Sequence, residues 1–376
     1  LMPADFIHRN AAGLAEETLA EAPIAVIAGA RQVGKSTLMR HLIQGREAQI
    51  VNLDVAVNRA AAERDPDGFV AQHPDGMLAI DEIQRVPSLI VALKAAVDEQ
   101  RRPGRFLVTG SADLLALGGA QESLAGRAHT IPLDGLSRGE LAGRAEDFAA
   151  FAWRLPGARR LEDRPGYTRR DYLEMACAPA FPGLRAASPA AADRWLANYV
   201  DRVLSRDTAD VIGIAHPDRL APLLSVIAGR NSGEFVAARV GREVDIPERS
   251  VPTYLKALQS VYLVRITPGW SNNVADRAVS TPKAAVGDPG LAAHLAGVDV
   301  DGLEQDVSSA LTGGFVEAFV SGELAKQRTW SAKSFGLSHF LAAEYFAVNV
   351  LGLDQQHLST QFATGSGPRF AGVSVR

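Results

Sequence analysis

Five short, mostly apolar runs punctuate the first 145 positions: residues 24–28, 50–53, 77–80, 106–109 and 130–133. Between them the spacing changes. Leu38, Leu42 and Ile43 recur at i, i+4 and i+5, and Leu89, Leu93 and Val97 recur every fourth residue, so each set shares one helix face. Continuous runs, rather than alternation, predict strands covered on both faces. Strands that alternate with helices predict βα units and a parallel sheet.

Beyond residue 145 the pattern becomes helical. Residues 146–185 are rich in Ala, Arg, Gly and Pro, and 146–215 read as a linker of short helices. A bridging helix is expected from Trp195 to Asp207, where Trp195, Tyr199, Val203 and Leu204 keep helical spacing. Residues 216–275 read as a winged helix: "RLAPLLSVIAG", "GEFVAARVG", a turn through "REVDIP", the helix "ERSVPTYLKALQS" and the strand "VYLVRI". Pro252 suits the first turn of its helix, where a missing N–H costs little. Residues 276–340 form a further, partial segment, and 341–376 an atypical tail.

Composition narrows the class. A chain of 376 residues is long enough for several domains, and its 47% hydrophobic and 22% charged residues are ordinary for a globular protein. A net charge of −4 argues against coating nucleic acid by bulk charge, but leaves room for a local basic patch. One cysteine, Cys177, allows no internal disulfide, and it is expected to be inert. His41, His73 and His129 are expected on surfaces or loops rather than on a metal. The acid-bearing N-terminal stretch does not read as a signal peptide, and no run of about 18 uncharged apolar residues is present, so a cytoplasmic protein is expected.

The candidate chemistry lies at the strand ends. After the first run stand Gly29, Ala30, Arg31, Gln32, Val33, Gly34, Lys35, Ser36 and Thr37. Glycines let a loop turn its N–H groups inward, and the following helix adds its positive end, so anionic oxygens are favoured there. Lys35 is expected on the β and γ phosphates of ATP, and Ser36 on Mg²⁺. The third run ends in Asp81 and Glu82: Asp81 is expected to hold the Mg²⁺ and Glu82 to activate the attacking water. The fourth ends in hydroxyls, with Ser111, and after it Thr109, as candidates to orient that water. Arg127, before the fifth strand, is a candidate to stabilise transition-state charge within its own subunit or across an interface; the alternative is a structural ion pair. On the winged helix, Arg249, Ser250, Thr253 and Lys256 are the candidate DNA contacts. Seven Lys/Arg against five Asp/Glu over residues 218–268 leave a protein-contact or lid role open.

The stretches "GARQVGKSTL", "LAIDEIQRVPSLIVALKAAVD", "RFLVTGSADLL" and "ESLAGRA" resemble the AAA+-type P-loop ATPases of bacteria and archaea that carry a C-terminal domain of unknown function. "YVDRVLSRD", "VPTYLKALQSVYLV", "DPGLAAHLAG" and "GFVEAFVSGELAKQ" extend the resemblance from about residue 6 to about residue 340. It implies an α/β fold with a five-stranded parallel sheet, the first strand near its centre, followed by a helical linker, a winged helix and a truncated or altered C-terminal α/β segment. It also implies that Arg127 is an arginine finger, which would ask for a homo-oligomer. The Gly-Gly-aromatic-Pro turn common in the family is replaced here by Ala178-Pro179-Ala180-Phe181-Pro182.

The C-terminal segment of the family is nuclease-like. Glu317 or Glu323 would be its early acid, but no Glu-x-Lys follows residue 330, where the acids are Glu344 and Asp354 and the lysine is Lys333. Only five charged residues occur from 331 to 376. A shift of reading frame near residue 340 would account for that composition; a divergent C-terminal helix is the alternative. The resulting expectation is Mg-dependent ATP binding and hydrolysis, coupled to duplex DNA or a protein client. The rival is a nucleotide-dependent switch or DNA-binding regulator with negligible turnover.

Overall fold

The computed structural model describes residues 6–111, 124–154, 167–208, 214–269, 280–305 and 309–333. Helix α1 (Ala12–Glu21) leads into five strands: β1 (Ile24–Ala28), β2 (Ala48–Asn52), β3 (Met77–Asp81), β4 (Phe106–Gly110) and β5 (Ala128–Pro132). They form one parallel sheet in the order β2-β3-β4-β1-β5. Helices α2 (Lys35–Leu42), α3 (Ala56–Arg64), α4 (Pro66–Ala71) and α5 (Leu89–Glu99) connect them.

Strand alternation sorts the core into two halves. Ala25 and Ile27 face one layer with Leu38 and Met39, while Ile24, Val26 and Ala28 face the other with Leu89, Leu93 and Val97. Every residue of β1, β3 and β4 is buried, as continuous apolar runs require. The expected coverage on both faces does not hold at the edges. In β2 only Val51 is buried and Ile50 is 40% exposed; in β5 only Ile131 is buried. An edge strand lacks a neighbour and the helix that would come with it, so an apolar run over-predicts burial there.

The strand order has one consequence for chemistry. Because β4 lies between β1 and β3, the C-terminal ends of these three strands meet at one edge. Ligands of parallel α/β sheets bind at such an edge.

Helices α6 (Arg138–Leu141), α7 (Phe148–Arg154), α8 (Arg169–Cys177) and α9 (Pro189–Arg202) follow. The Ser188 hydroxyl caps α9 by accepting from Ala191 N, and Pro189 occupies its first turn. The expected helix to Asp207 does continue, but as a π-helical turn over Val203–Asp207. Next come α10 (Leu220–Ala228), β6 (Gly233–Glu234), α11 (Ala237–Glu243), α12 (Val251–Ser260), β7 (Val264–Thr267) and β8 (Lys283–Val286). Strands β6, β8 and β7 form an antiparallel sheet in that order. The boundary expected at residue 275 therefore needs correction: β8 lies past it and supplies the strand that joins β6 to β7. Helices α13 (Pro289–Ala296), α14 (Val300–Gln305) and α15 (Ala310–Gln327) complete the described chain. The core of this second half is continuous with the α1/α2 face of the parallel sheet.

Candidate nucleotide-binding site

Residues 29–37 join β1 to α2 at the chemical edge of the sheet. Gly29 must be glycine, because a Cβ there would lie 2.0 Å from the Leu133 carbonyl oxygen. Gly34 caps α2 with φ +102°, a left-handed conformation that L side chains resist. From there the first turn of α2 presents its free N–H groups and its positive end. Lys35 is 4% exposed, and its Nζ donates to the Ala30 carbonyl at 2.8 Å, closing the loop on itself.

Burial pushes the Lys35 ammonium down from its ordinary 10.5 to about 8, against the opposing pull of Glu82 and Asp81. The sign follows from proton counting. Between about pH 8 and 10.5 the unfolded chain holds this proton more firmly than the folded one. The contribution of Lys35 to stability therefore rises with pH across that window. Affinity for an anion that needs the ammonium moves the other way. It is expected to fall by up to about tenfold per pH unit above pH 8, which nucleotide titrations from pH 7 to 10 would show.

Asp81, 3% exposed, ends β3 facing Ser36. Ser36 Oγ donates to Asp81 Oδ1 at 2.9 Å, Thr109 Oγ1 donates to the same oxygen, and Asn52 Nδ2 donates to Oδ2 at 3.1 Å. The next residue, Glu82, has φ +61° and ψ +47°, a left-handed turn costly for a non-glycine residue. Its N–H donates to Thr109 Oγ1 at 3.1 Å, which fixes the turn. Its carboxylate Oε2 accepts from Ser111 Oγ at 3.0 Å and from Gln84 Nε2, while Gln84 Nε2 also reaches Ser111 Oγ at 2.8 Å.

The two hydroxyls at the end of β4, Thr109 within it and Ser111 just after it, thus divide their work. Thr109 holds Asp81 and the backbone of Glu82, and Ser111 holds the Glu82 carboxylate. Oxygen donors fit a hard cation: Ser36 Oγ and Asp81 are already within hydrogen-bond distance of each other. Among the described residues no group of three or more His, Cys, Asp or Glu could hold a metal ion. Mg²⁺ on Ser36 and Asp81 would take its other ligands from phosphate and water, as this ion commonly does.

Arg127 lies elsewhere. Its carbonyl accepts from Ile24 N, at the N-terminal end of β1. The length of a five-residue strand, about 16 Å, separates it from the loop of its own chain. Its guanidinium pairs with Asp98 at 2.6 and 2.9 Å. A role in its own subunit is therefore corrected, and the ion-pair alternative is observed. Of the candidate DNA contacts, Arg249, Thr253 and Lys256 are exposed, and Ser250 is half-buried. Thr253 and Lys256 share one face of α12. Glu317 pairs with Lys283, and Glu323 with Lys326 at 2.6 Å, so both early-acid candidates serve as ion-pair partners. Glu344 and Asp354 lie outside the described residues. Burial pushes the Cys177 thiol up to about 11, consistent with an unreactive sulfur. No helix among the described residues is long and apolar enough to cross a membrane.

Several residues were not singled out from sequence. Asn52 ends β2 as Asp81 ends β3, and Gln84 lies within "DEIQ". Arg9 gave no signal. It is 5% exposed and donates to Val33 O at 2.7 Å, Asp134 O at 2.7 Å and Glu140 Oε1 at 3.1 Å. It therefore pins the phosphate-type loop to the segment after β5. Arg9→Met would take the counter-charge from the buried Glu140 carboxylate, which keeps only the Asn10 and Ser137 N–H groups, and would remove a donor from two carbonyls. It is expected to lower stability by about 3 kcal/mol in urea unfolding.

Residues 21–142 match the family profile described as an AAA domain. This part of the chain is a P-loop AAA-type domain. Residues 169–302 match a second profile, a domain of unknown function (DUF8612). Uncharacterized proteins of Mycobacterium bovis and Mycobacterium tuberculosis are each 31% identical over 320 residues, 85% of this chain. The chain spans 66% of the length of these relatives. Among solved structures, a Walker-type ATPase of Pyrococcus abyssi is similar with a TM-score of 0.44 and 14% identity, over 77% of this chain and 96% of that one.

Proposed function

We propose that the AAA-type domain binds Mg·ATP at residues 29–37 and hydrolyses it. The observation that supports this most is the arrangement at one sheet edge: Ser36 bonded to Asp81 at 2.9 Å beside the loop, with Glu82 next to it on a backbone turn of its own. Loop amides and Lys35 would hold the phosphates. Mg²⁺, held by Ser36 and Asp81, would neutralise phosphate charge when bound. Glu82 would take a proton from a water attacking the γ-phosphorus. The new bond joins that water oxygen to phosphorus, the β–γ bridging P–O bond breaks, and ADP leaves. Ser111 and Gln84 would aim the carboxylate, and Arg127 would act only across an interface between subunits.

The second half supports a winged-helix reading. Three helices, α10 to α12, precede the antiparallel pair β7 and β8, and β6 between α10 and α11 completes the small sheet. Arg249, Ser250, Thr253 and Lys256 would contact duplex DNA from the exposed side of α12 and the turn before it. ATP turnover measured with and without duplex DNA, over a range of protein concentrations, tests each part. Turnover that rises with DNA supports the nucleic-acid reading. Turnover per chain that is independent of concentration, down to dilutions where the protein is monomeric, would rule out Arg127 supplied by a neighbour.

A further inference from the structure

Arg31, at the third position of the loop, is tied to the second half of the chain. Its Nε donates to Asp207 Oδ2 at 2.7 Å, and the pair is largely buried, with side chains 18% and 7% exposed. The backbone carbonyl of Arg31 also accepts from Tyr199 Oη at 3.4 Å. Tyr199 lies on α9, and Asp207 ends the π-helical turn that follows it, a rare geometry often found at functional sites.

The guanidinium is only half used. Its Nη2 is buried and has no hydrogen-bond partner among the described residues. A buried charged donor left without an acceptor is costly, so such groups call for a partner. The loop around it is built for anionic oxygens. After Asp207, the carboxylates of Glu82 and Asp54 also act on the Arg31 guanidinium, so it lies within the field of the acids at this sheet edge.

Resting on the ATPase reading above, we infer that Arg31 Nη2 donates to the terminal phosphate of a nucleoside triphosphate while Nε stays on Asp207. One planar fork then bridges ligand and linker, which a point charge cannot do. Loss of the terminal phosphate removes one side of the bridge, and the turn at 203–207 is the element that senses it. This gives the domain a charge within its own chain, where Arg127 does not reach.

The test uses the full chain in Mg²⁺, with ATP and ADP affinities measured for wild type, Arg31→Gln, Arg31→Lys and Asp207→Asn. Arg31→Gln is expected to weaken ATP by about tenfold or more and ADP by less than about twofold. Hydrogen exchange over residues 199–208 is expected to slow with ATP and not with ADP in the wild type. That difference should vanish in Arg31→Gln and Asp207→Asn, while Asp207→Asn keeps its preference for ATP. Should Arg31→Gln fail to fold by its melting curve, Arg31→Lys decides, and the same ATP-specific loss is required of it. Equal weakening of ATP and ADP would make Arg31 a loop brace and overturn the inference, leaving the ATPase reading intact. A wild type that binds neither nucleotide overturns both.

Discussion

Replacing Glu82 by glutamine is expected to lower ATP turnover by about 10³-fold and to leave Mg·ATP affinity within about threefold of wild type. The amide has the shape of the carboxylate and can still accept from Ser111 Oγ, which lies 3.0 Å from Glu82 Oε2. What it cannot do is take a proton. The left-handed turn at Glu82 is fixed through its N–H and Thr109, not through its side chain, so the substitution leaves the backbone in place. Single-turnover phosphate release at saturating ATP separates the two readings of the domain. A hydrolase loses its rate in the variant. A switch with negligible turnover has no rate to lose, and wild type and variant are alike.

The second large effect is on binding. Lys35→Ala is expected to weaken ATP by about 10²- to 10³-fold, measured by calorimetry. Loss of the Nζ bond to Ala30 O removes one brace of the loop, but alanine is a good helix former at the start of α2. Burial works against the Lys35 charge in the free protein, so removing that charge relieves a cost as well as a contact. The melting temperature without nucleotide is therefore expected to change little, and the loss to appear in the ligand-dependent part alone. A variant that melts much lower and binds as wild type does would assign Lys35 to structure.

Much of the first domain was legible because its signals are local. An apolar run, two glycines at fixed spacing and a Lys-Ser pair mark β1, the loop and α2 without reference to distant residues. Asp81 and Glu82 were legible for the same reason, since they end a strand. Partnerships were not. Only the placement of β4 between β1 and β3 sets Thr109 against Asp81 and Ser111 against Glu82, and strand order is a long-range property.

Arg9 and Asp207 lie 24 and 176 residues from their loop partners, and nothing in their neighbourhood announces the contact. For Arg127 three roles stood open, and its place before β5 puts it at the N-terminal edge of the sheet, where the fold pairs it with Asp98. β8 was missed because "KAAV" is short and weakly apolar, and only pairing with β6 and β7 makes it a strand. In the second half the pattern found α9 to α12 and the strand β7, and left β6, β8 and their pairing to be seen.

The most direct measurement is a titration of wild-type protein with ATP in millimolar Mg²⁺, followed by heat or by a fluorescent analogue, beside Lys35→Ala. Saturable binding at one site per chain, reversed by ADP and lost in the variant, is the expected result. A properly folded wild type that takes up neither ATP nor ADP, or a Lys35→Ala protein that binds them equally well, would contradict a phosphate site at residues 29–37.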